Sequence, residues 1–389
     1  MKVLFISAWW PSRQFPTHGN FVQKHARLVA RRHELTVLAV QEDRGMAGGR
    51  RILEVSEEFD YRVVQVYYGR AAATPQWLNL WNRSRAYLVG LQKVLHLAGK
   101  PDILHGHVLV DGGIAAALLG HRYGIPHLIT EHSVMYRKPA VLSGARQLLA
   151  KWATRTAAYV LPVSDRLGQD MQALSGLRGN YTTVPNVVKT ELFDLAPAWR
   201  EGESFRFLHV SNFDAWQKNP AGLLRTFARM GKDCPYPFTV QIAGDGDRRF
   251  IEGLIEEYGL DRQRFVVSGP HTEGEIASLM QSHHALVLFS NYETQGVVLL
   301  EALVSGLPCI ATRVGGVPDV IWEGENGFMV EPGDERALAG VLVKVIRNYH
   351  CFDRRGFAKS AAAKYGEDAV LCAIDRLYRL SLSGGSLSI

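Results

Sequence analysis

The stretch that decides the fold is residues 290–308, SNYETQGVVLLEALVSGLP. It follows residues 284–289, a short apolar run that is typical of a buried strand. The stretch begins with a polar loop and continues as a mostly apolar helix over residues 296–305, which ends ahead of Pro308. Another apolar run starts at Cys309. The order strand, loop, helix and strand predicts an α/β fold.

Two carboxylates flank the start of this helix. Glu293 lies in the loop and Glu301 lies on the helix. The free N–H groups and the positive end of the helix dipole favour a phosphate between them. Since carboxylates accept hydrogen bonds from hydroxyl groups, the unit could hold hydroxyls on both sides of a phosphate, which is the outline of a nucleotide sugar. Two glutamates at this spacing also occur by chance, so the rest of the chain has to decide.

The composition is that of a globular protein with two or three domains. The chain has 389 residues, of which 47% are hydrophobic and 21% are charged. Its four cysteines are far apart and form no metal-ligand pattern, which predicts reduced thiols in a cytoplasmic protein. The apolar start over residues 1–7 is short, so we expect a buried strand there rather than a signal peptide. No uncharged apolar run reaches the length of a membrane span.

The net charge of +6 is unevenly distributed. Residues 1–195 contain 24 Lys and Arg against 14 Asp and Glu, which gives +10, and residues 196–389 contain 20 against 24, which gives −4. The basic residues of the first half are dispersed rather than clustered, which argues against nucleic acid as a partner. An anionic membrane or an acidic substrate is compatible with this half.

The chain reads as two successive series of strands and helices. The first series opens with strand, helix and strand over residues 2–40. Residues 190–204 lack periodicity and are the predicted linker, and a new series starts with a strand over residues 205–210. We therefore expect two Rossmann-like βαβ domains, residues 1–195 and 196–389, that face each other across a ligand-binding cleft.

The last helix is expected over residues 361–380 and could pack back on the N-terminal domain. In that domain the loop after the first strand lacks the G-x-G-x-x-G motif of dinucleotide-binding proteins. Gly19 still allows close approach of a ligand to the backbone, although a plain loop glycine is the alternative. His107 and His132 lie just beyond predicted strands, at the edge where parallel sheets bind ligands. His107 could bind a sugar hydroxyl or a phosphate, or it is a structural histidine.

In the second half, Lys218 precedes a helix with Asn219 as the expected N-cap and Pro220 as its first residue. The charge of Lys218 and the helix dipole would reinforce each other on a diphosphate. A solvated loop lysine is the alternative. The run Gly244-Asp245-Gly246-Asp247 predicts a turn rather than a metal site, because nothing nearby completes a set of ligands.

Together these motifs identify a family. The matching positions, in chain order, are Pro101 to His107, Gly124-Ile125-Pro126, Thr130-Glu131-His132, Pro162-Val163-Ser164, Val184-Pro185-Asn186, Val210-Ser211-Asn212, Lys218-Asn219, Gly244-Asp245-Gly246, Ser290, Glu293, Gly296, Glu301-Ala302, Gly306, Pro308, Ala311-Thr312 and Gly315 to Asp319. The chain resembles family 4 glycosyltransferases, which are retaining enzymes with a GT-B fold. The resemblance covers essentially the whole chain, and the C-terminal signature is its most specific part.

The resemblance implies three residues with catalytic roles. Glu293 would hydrogen-bond hydroxyls of the transferred sugar, Lys218 would bind the diphosphate, and His107 would approach the sugar from the N-terminal domain. No protein nucleophile and no required metal ion are implied. The family's route would be front-side attack by the acceptor hydroxyl, with the leaving phosphate as base.

The resemblance also implies a set of donor-binding residues. Glu301 would hold the ribose hydroxyls, and the phosphates would contact the backbone at the start of the helix. Gly19 would let the first loop close on donor and acceptor, and Gly269 would flank the base. The full set is Glu301, Lys218, Asn212, Thr294, Gln295, Gly296, Gly19 and Gly269.

The sequence departs from the family pattern at three places. Where the family has Gly-Arg-Leu, this chain has Ser211-Asn212-Phe213, and Asn212 can hydrogen-bond to a diphosphate but cannot neutralise it. The usual Glu-Gly-Phe-Gly is replaced by residues 293–296, Glu-Thr-Gln-Gly, which predicts altered sugar selectivity. The N-terminal glycine loop is reduced to His18-Gly19-Asn20.

The expected activity is transfer of a sugar, of the hexosyltransferase type, from a UDP- or GDP-linked donor to a hydroxyl of a glycan or lipid-linked acceptor. The expected setting is bacterial surface polysaccharide or glycoconjugate biosynthesis. Basic helices with tryptophans, over residues 77–97 and 143–159, could rest on the anionic inner face of the plasma membrane. The alternative is that these tryptophans belong to the core. Alternative functions are a nucleotide-sugar epimerase or hydrolase of the same fold, or a non-catalytic partner in glycan assembly.

Overall fold

The computed structural model describes residues 1–16, 18–70, 76–133, 136, 142 and 144–383. The chain forms two compact units, one from residues 1–187 together with the segment that starts at Val370, and one from residues 188–369. None of the helices in these ranges is both long and apolar enough to cross a membrane.

The first unit contains a seven-stranded sheet in the order β3-β4-β2-β1-β5-β6-β7. Its strands are parallel except for β3, which is antiparallel to β4. The order reverses direction between β1 and β5, and this switch point is where open α/β sheets bind ligands. The strands are β1 Lys2–Ser7, β2 Glu34–Asp43, β3 Arg51–Glu58, β4 Tyr61–Gly69, β5 Ile103–His107, β6 His127–Glu131 and β7 Tyr159–Pro162.

Helices cover both faces of this sheet. One face of the sheet packs on α1. The other face packs on α2 and α3 at strands β1, β2, β4 and β5, and on α3, α4 and α5 at strands β6 and β7. The helices are α1 Asn20–Ala30, α2 Gln76–Ala98, α3 Ile114–Tyr123, α4 Gly144–Thr156 and α5 Asp165–Ser175. A π-helical segment, Val108–Gly113, connects β5 to α3.

The second unit contains a six-stranded sheet in the order β10-β9-β8-β11-β12-β13, with every neighbouring pair parallel. Its switch point lies between β8 and β11. The strands are β8 Phe205–Val210, β9 Phe238–Ala243, β10 Phe265–Ser268, β11 Ala285–Leu288, β12 Cys309–Thr312 and β13 Gly327–Val330. The helices are α6 Pro220–Asp233, α7 Arg248–Glu257, α8 Glu273–Ser282, α9 Val297–Val304, α10 Glu335–Arg347 and α11 Arg354–Tyr365.

The segment predicted as a linker, residues 190–204, packs on the second unit. The backbone N–H of Ala196 donates to the carbonyl of Ser305 at 2.9 Å, and Trp199 is buried in the core of this unit. The first unit therefore ends at Val187, several residues before the expected position.

The helix predicted over residues 361–380 is two helices in the structure, α11 and α12 Glu367–Ser383. Gly366 separates them because its backbone is extended, with φ −68° and ψ 162°. From Val370 onward α12 belongs to the first unit, where it packs beside α1. Its Tyr378 hydroxyl lies 2.6 Å from Nδ1 of the buried His105 on β5.

Candidate active site

The carboxyl ends of β8 and β11 meet at the switch point of the second sheet, and the loops that follow them are bonded to each other. Asn291 donates its backbone N–H to the carbonyl of Gln217 at 2.8 Å and its side-chain Nδ2 to the carbonyl of Trp216 at 2.6 Å. Gln217 Nε2 donates to the carbonyl of Tyr292 at 3.3 Å. These bonds hold the two loops side by side.

The loops bring together Lys218 and Glu293. Lys218 Nζ donates to Glu293 Oε1 at 2.6 Å, and the two side chains are only 15% and 6% exposed. The hydroxyl of Ser290 donates to the same oxygen at 2.7 Å. In the described part of the chain no donor engages Oε2 of Glu293. This second oxygen is therefore able to accept a hydrogen bond from a ligand hydroxyl.

Lys218 is also fixed through its backbone. Its N–H donates to the carbonyl of Asp214 at 2.8 Å, and Asn219 caps α6 by accepting from the N–H of Gly222. The predicted N-cap is confirmed. Lys218 thus lies just before the positive end of α6. An anion at this end would be stabilised by both the ammonium group and the helix dipole.

A buried histidine on β8 supports the loop that follows this strand. His209 on β8 has Nδ1 2.9 Å from the carbonyl of Val287 and Nε2 2.9 Å from the hydroxyl of Ser211. Since a carbonyl only accepts, Nδ1 carries the proton and Nε2 accepts from Ser211. Burial, and to a smaller extent the charge of Lys218, lowers the pKa of His209 to about 4. The imidazole is therefore neutral near pH 7.

Gly315 permits the close packing around Glu293. A Cβ on this residue would lie 1.6 Å from the carbonyl oxygen of Glu293, and its φ of +49° is in the left-handed region. Gly316 donates its N–H to the same carbonyl at 3.3 Å. The Gly-Gly pair of the signature thus holds the backbone of the glutamate, and the close contact at Gly315 leaves no room for a side chain there.

The predicted donor-binding residues of the signature surround the start of α9. Gly296 directly precedes the helix, Gln295 is buried and Thr294 is half-buried. Glu301 lies in the second turn of α9 and is buried. These four residues and Glu293 therefore lie within one short segment, residues 293–301, which is the end of a loop and the first turns of α9.

Asn212 and Gly269 lie on the neighbouring loops. Asn212 is exposed after β8, and its Oδ1 accepts from the N–H of Asp214 at 3.3 Å. Gly269 follows β10, and a Cβ there would meet no heavy atom within 4 Å. Both positions leave room for a ligand.

In the first unit, His107 is the last residue of β5 and is fully buried. Its Nδ1 lies 3.4 Å from Nε2 of His132, and the two rings are stacked. Among the described residues, Nε2 of His107 has no hydrogen-bond partner. Burial first, and neighbouring histidines second, hold the pKa of both groups well below the usual range. The two edge histidines therefore form one neutral pair.

A buried carboxylate organises the backbone around this pair. Glu131 Oε1 accepts from the N–H groups of His132 and Ser133 at 2.8 and 2.7 Å, and Oε2 accepts from the N–H of Leu109 at 2.9 Å and from the hydroxyl of Tyr136. The bond to Leu109 fixes the start of the π-helical segment.

Gly19 precedes α1 with a φ of +79°, and a Cβ there would lie 2.4 Å from the carbonyl of Trp9. The close approach that this glycine permits is therefore to the backbone of its own loop.

The structure thus brings Lys218, Glu293 and the start of α9 together in the second unit, whereas His107 and Gly19 belong to the first unit. Sequence reasoning missed His209 and the Asn291 bonds. A histidine inside the apolar strand 205–210 was a signal for His209. The sequence contains no signal for the Asn291 bonds. Within the described residues, no group of three or more His, Cys, Asp or Glu side chains is placed to hold a metal ion.

Two family descriptions match the chain. Residues 20–192 match "Glycosyltransferase Family 4" and residues 204–348 match "Glycosyl transferases group 1". The chain is also similar to the N-acetyl-alpha-D-glucosaminyl L-malate synthase of Bacillus anthracis, with 27% identity over 265 residues. That match covers 64% of this chain and 66% of the relative, so the chain spans about two thirds of the relative's length.

Solved structures show the same fold over nearly the whole chain. A sucrose-phosphate synthase from Thermosynechococcus elongatus superposes with a TM-score of 0.77 at 21% identity, covering 99% of this chain and 100% of the other. Anabaena HepE, solved in complex with UDP, superposes with a TM-score of 0.70 at 18% identity, covering 97% and 99%. The chain belongs to glycosyltransferase family 4 and has the GT-B fold.

Proposed function

We propose that this protein transfers a sugar from a nucleoside diphosphate sugar to a hydroxyl group, with retention of the anomeric configuration. The observation that carries the proposal is the buried pair of Lys218 and Glu293 at the switch point of the second sheet. It combines a cation for a phosphate with a carboxylate for a hydroxyl, at the start of two helices.

Lys218 supplies the counter-charge for the departing diphosphate. Cleavage of the sugar–phosphate bond leaves negative charge on the phosphate oxygens, and a preorganised cation in a site of low exposure stabilises that charge. Because Lys218 is held by Glu293 beforehand, little side-chain freedom remains to be lost when the phosphate arrives. Asn212 adds a hydrogen-bonding group where the family has an arginine.

Glu293 and Glu301 orient the donor. Glu293 keeps one oxygen on Lys218 and Ser290 and offers the other to a sugar hydroxyl. Glu301 binds the ribose hydroxyls from α9, and the N–H groups of residues 294–296 bind the phosphates. In the first unit, His107 is the hydroxyl-binding candidate, because its buried Nε2 has no hydrogen-bond partner in the part of the chain that the structure describes.

The acceptor is a hydroxyl of a glycan or of a lipid-linked glycan, and the setting is surface polysaccharide or glycoconjugate assembly in the bacterial cytoplasm. The attacking hydroxyl gives its proton to the departing phosphate oxygen while the new glycosidic bond forms on the same face of the sugar. This route needs no protein nucleophile.

The test is product formation from a panel of UDP- and GDP-sugars with glycan and lipid-linked acceptors. We expect one donor to yield a glycoside whose anomeric configuration, read by NMR, equals that of the donor. Glu293→Gln should reduce kcat about a hundredfold. Inversion at the anomeric carbon would contradict the retaining mechanism. Donor turnover to free sugar at the same rate with and without acceptor would show a hydrolase instead.

A further inference from the structure

Three helices of the first unit carry basic residues and no acidic ones. The sequences of α2, α3 and α4 contain neither Asp nor Glu. They contain seven basic residues, namely Arg83, Arg85, Lys93, Arg122, Arg146, Lys151 and Arg155. Arg83 is paired with Asp111 of the π-helical segment, and the others have no acidic partner among the described residues.

The same three helices expose large apolar side chains. Leu148 on α4 is 69% exposed, Leu88 on α2 is 54% exposed and Trp81 is 50% exposed. Among the described side chains of these helices, the exposed large apolar ones are Trp81, Leu88, Val89, Leu118, Tyr123, Leu148 and Leu149. On α2 these residues follow helical spacing, since positions 81, 85, 88 and 89 lie on one side. The guanidinium of Arg85 lies 4.5 Å from the ring centre of Trp81.

All three helices cover the same face of the sheet. α2 and α3 share one core cluster, and α3 and α4 share the next. Their outward sides therefore form one surface, which we call the basic-apolar face: the exposed residues of α2, α3 and α4. Trp81, which could have belonged to the core, is part of it. Two other helices, α1 and α11, also lack acidic residues but expose no large apolar side chain in the described chain.

We propose that the basic-apolar face docks on an anionic lipid bilayer. Leucine and tryptophan side chains among arginines and lysines fit the headgroup region, where apolar groups enter the acyl boundary and cations meet lipid phosphates. A soluble acidic protein would match the charges. The exposed Leu148 and Leu149 of α4, however, favour a lipid bilayer, whose fluid acyl chains can cover apolar side chains. Each basic residue near such a surface strengthens binding about fivefold.

The docking deepens the proposed function and, as regards the acceptor, rests on it. A protein seated on the membrane by this face would take a lipid-linked glycan rather than a free one. Membrane binding itself does not depend on catalysis, so the two can fail separately.

The test is sedimentation of the full-length protein with vesicles of phosphatidylglycerol and phosphatidylcholine in equal parts, and with vesicles of phosphatidylcholine alone. We expect binding to the anionic vesicles that weakens as salt is raised. Arg85→Glu/Arg155→Glu should weaken it at least about tenfold, and Trp81→Ser/Leu88→Ser should weaken it at every salt concentration.

The matched control is Arg355→Glu/Lys359→Glu, which reverses two exposed charges on α11 and should leave binding unchanged. Circular dichroism establishes that each variant is folded. Equal binding by the wild type and both face variants, or no binding to anionic vesicles at low salt, would overturn the proposal. Membrane binding without activity on any lipid-linked acceptor would retain the docking surface and reject the acceptor.

Discussion

The ammonium group of Lys218 lies 2.6 Å from Oε1 of Glu293, although the two residues are 75 positions apart in the sequence. They meet because two loops at the switch point of the second sheet are tied by Asn291. The pair therefore places an ammonium group that can bind a phosphate next to a carboxylate that can bind a hydroxyl. Removing either partner therefore changes both stability and ligand binding, and the two effects can be separated.

Replacing one partner of this pair should destabilise the second unit. In Lys218→Met, Glu293 keeps a buried charge without its counter-ion, and we expect the free energy of unfolding to fall by about 3 kcal/mol. Denaturant unfolding measures this value. The double variant Lys218→Met/Glu293→Gln should recover most of the loss, because no uncompensated charge is left. Additive losses in the double variant would show that the two groups are not coupled.

Gly315→Ala should disturb Glu293 without touching its side chain. The new Cβ would meet the glutamate's carbonyl oxygen, and the left-handed backbone disfavours alanine, so we expect a loss of about 2 kcal/mol or more and weaker donor binding. Gly340→Ala is the matched control, since it lies within α10 in open space and should raise stability by up to about 1 kcal/mol. Thermal unfolding of both variants compares them, and equal melting temperatures would contradict the packing described.

Stability should fall as the pH drops below about 6.5. Burial lowers the pKa of His105 to about 3 and holds those of His107 and His132 well below the usual range. The unfolded chain therefore binds protons near pH 6 that the folded chain refuses, which costs up to about 1.4 kcal/mol per pH unit for each histidine. Chemical unfolding between pH 7.5 and pH 5 measures this slope.

The contribution of one histidine to that slope is testable by itself. His132→Phe should reduce the pH dependence by up to about 1.4 kcal/mol per pH unit. The control is His96→Phe, at an exposed position on α2. If both variants keep the wild-type slope, His132 is not the buried neutral group that the structure shows.

Glu131→Gln should loosen the loops around the His107 and His132 pair. An amide cannot accept all four hydrogen bonds that the carboxylate accepts, so at least one donor is left buried without a partner. We expect a loss of about 2 kcal/mol and faster hydrogen exchange at the N–H of Leu109. Tyr136→Phe removes a single donor and should cost less. Unchanged exchange at Leu109 would show that the carboxylate does not hold the π-helical segment.

Most of the architecture could be predicted from local patterns. β8 has the predicted bounds, residues 205–210, because it is an apolar run between clear breaks. β3 was not expected because it is an edge strand in which no residue is buried, so it lacks an apolar pattern. The break at Gly366 was missed because a single glycine does not reveal whether a helix continues.

The site was predictable to the level of the sheet edge. Lys218 and Glu293 both follow predicted strands, so both were expected at the carboxyl edge of a parallel sheet. Their contact was not predictable, because it depends on the Asn291 bonds between the two loops. The burial of His107 was not predictable either, because it depends on packing against His132, which follows another strand. Trp81 is exposed rather than part of the core, and helical spacing alone did not identify which side of this helix meets the core.

The most direct test of the central claim is calorimetric titration of the wild type, Lys218→Met and Glu293→Gln with a nucleoside diphosphate and with its sugar-bearing form. If Lys218 binds the diphosphate and Glu293 binds the sugar, Lys218→Met weakens both ligands at least about tenfold, a cost of about 1.4 kcal/mol. Glu293→Gln then leaves the affinity for the nucleoside diphosphate nearly unchanged and weakens only the sugar-bearing form. Wild-type affinity of Lys218→Met for both ligands would contradict the assignment of the site.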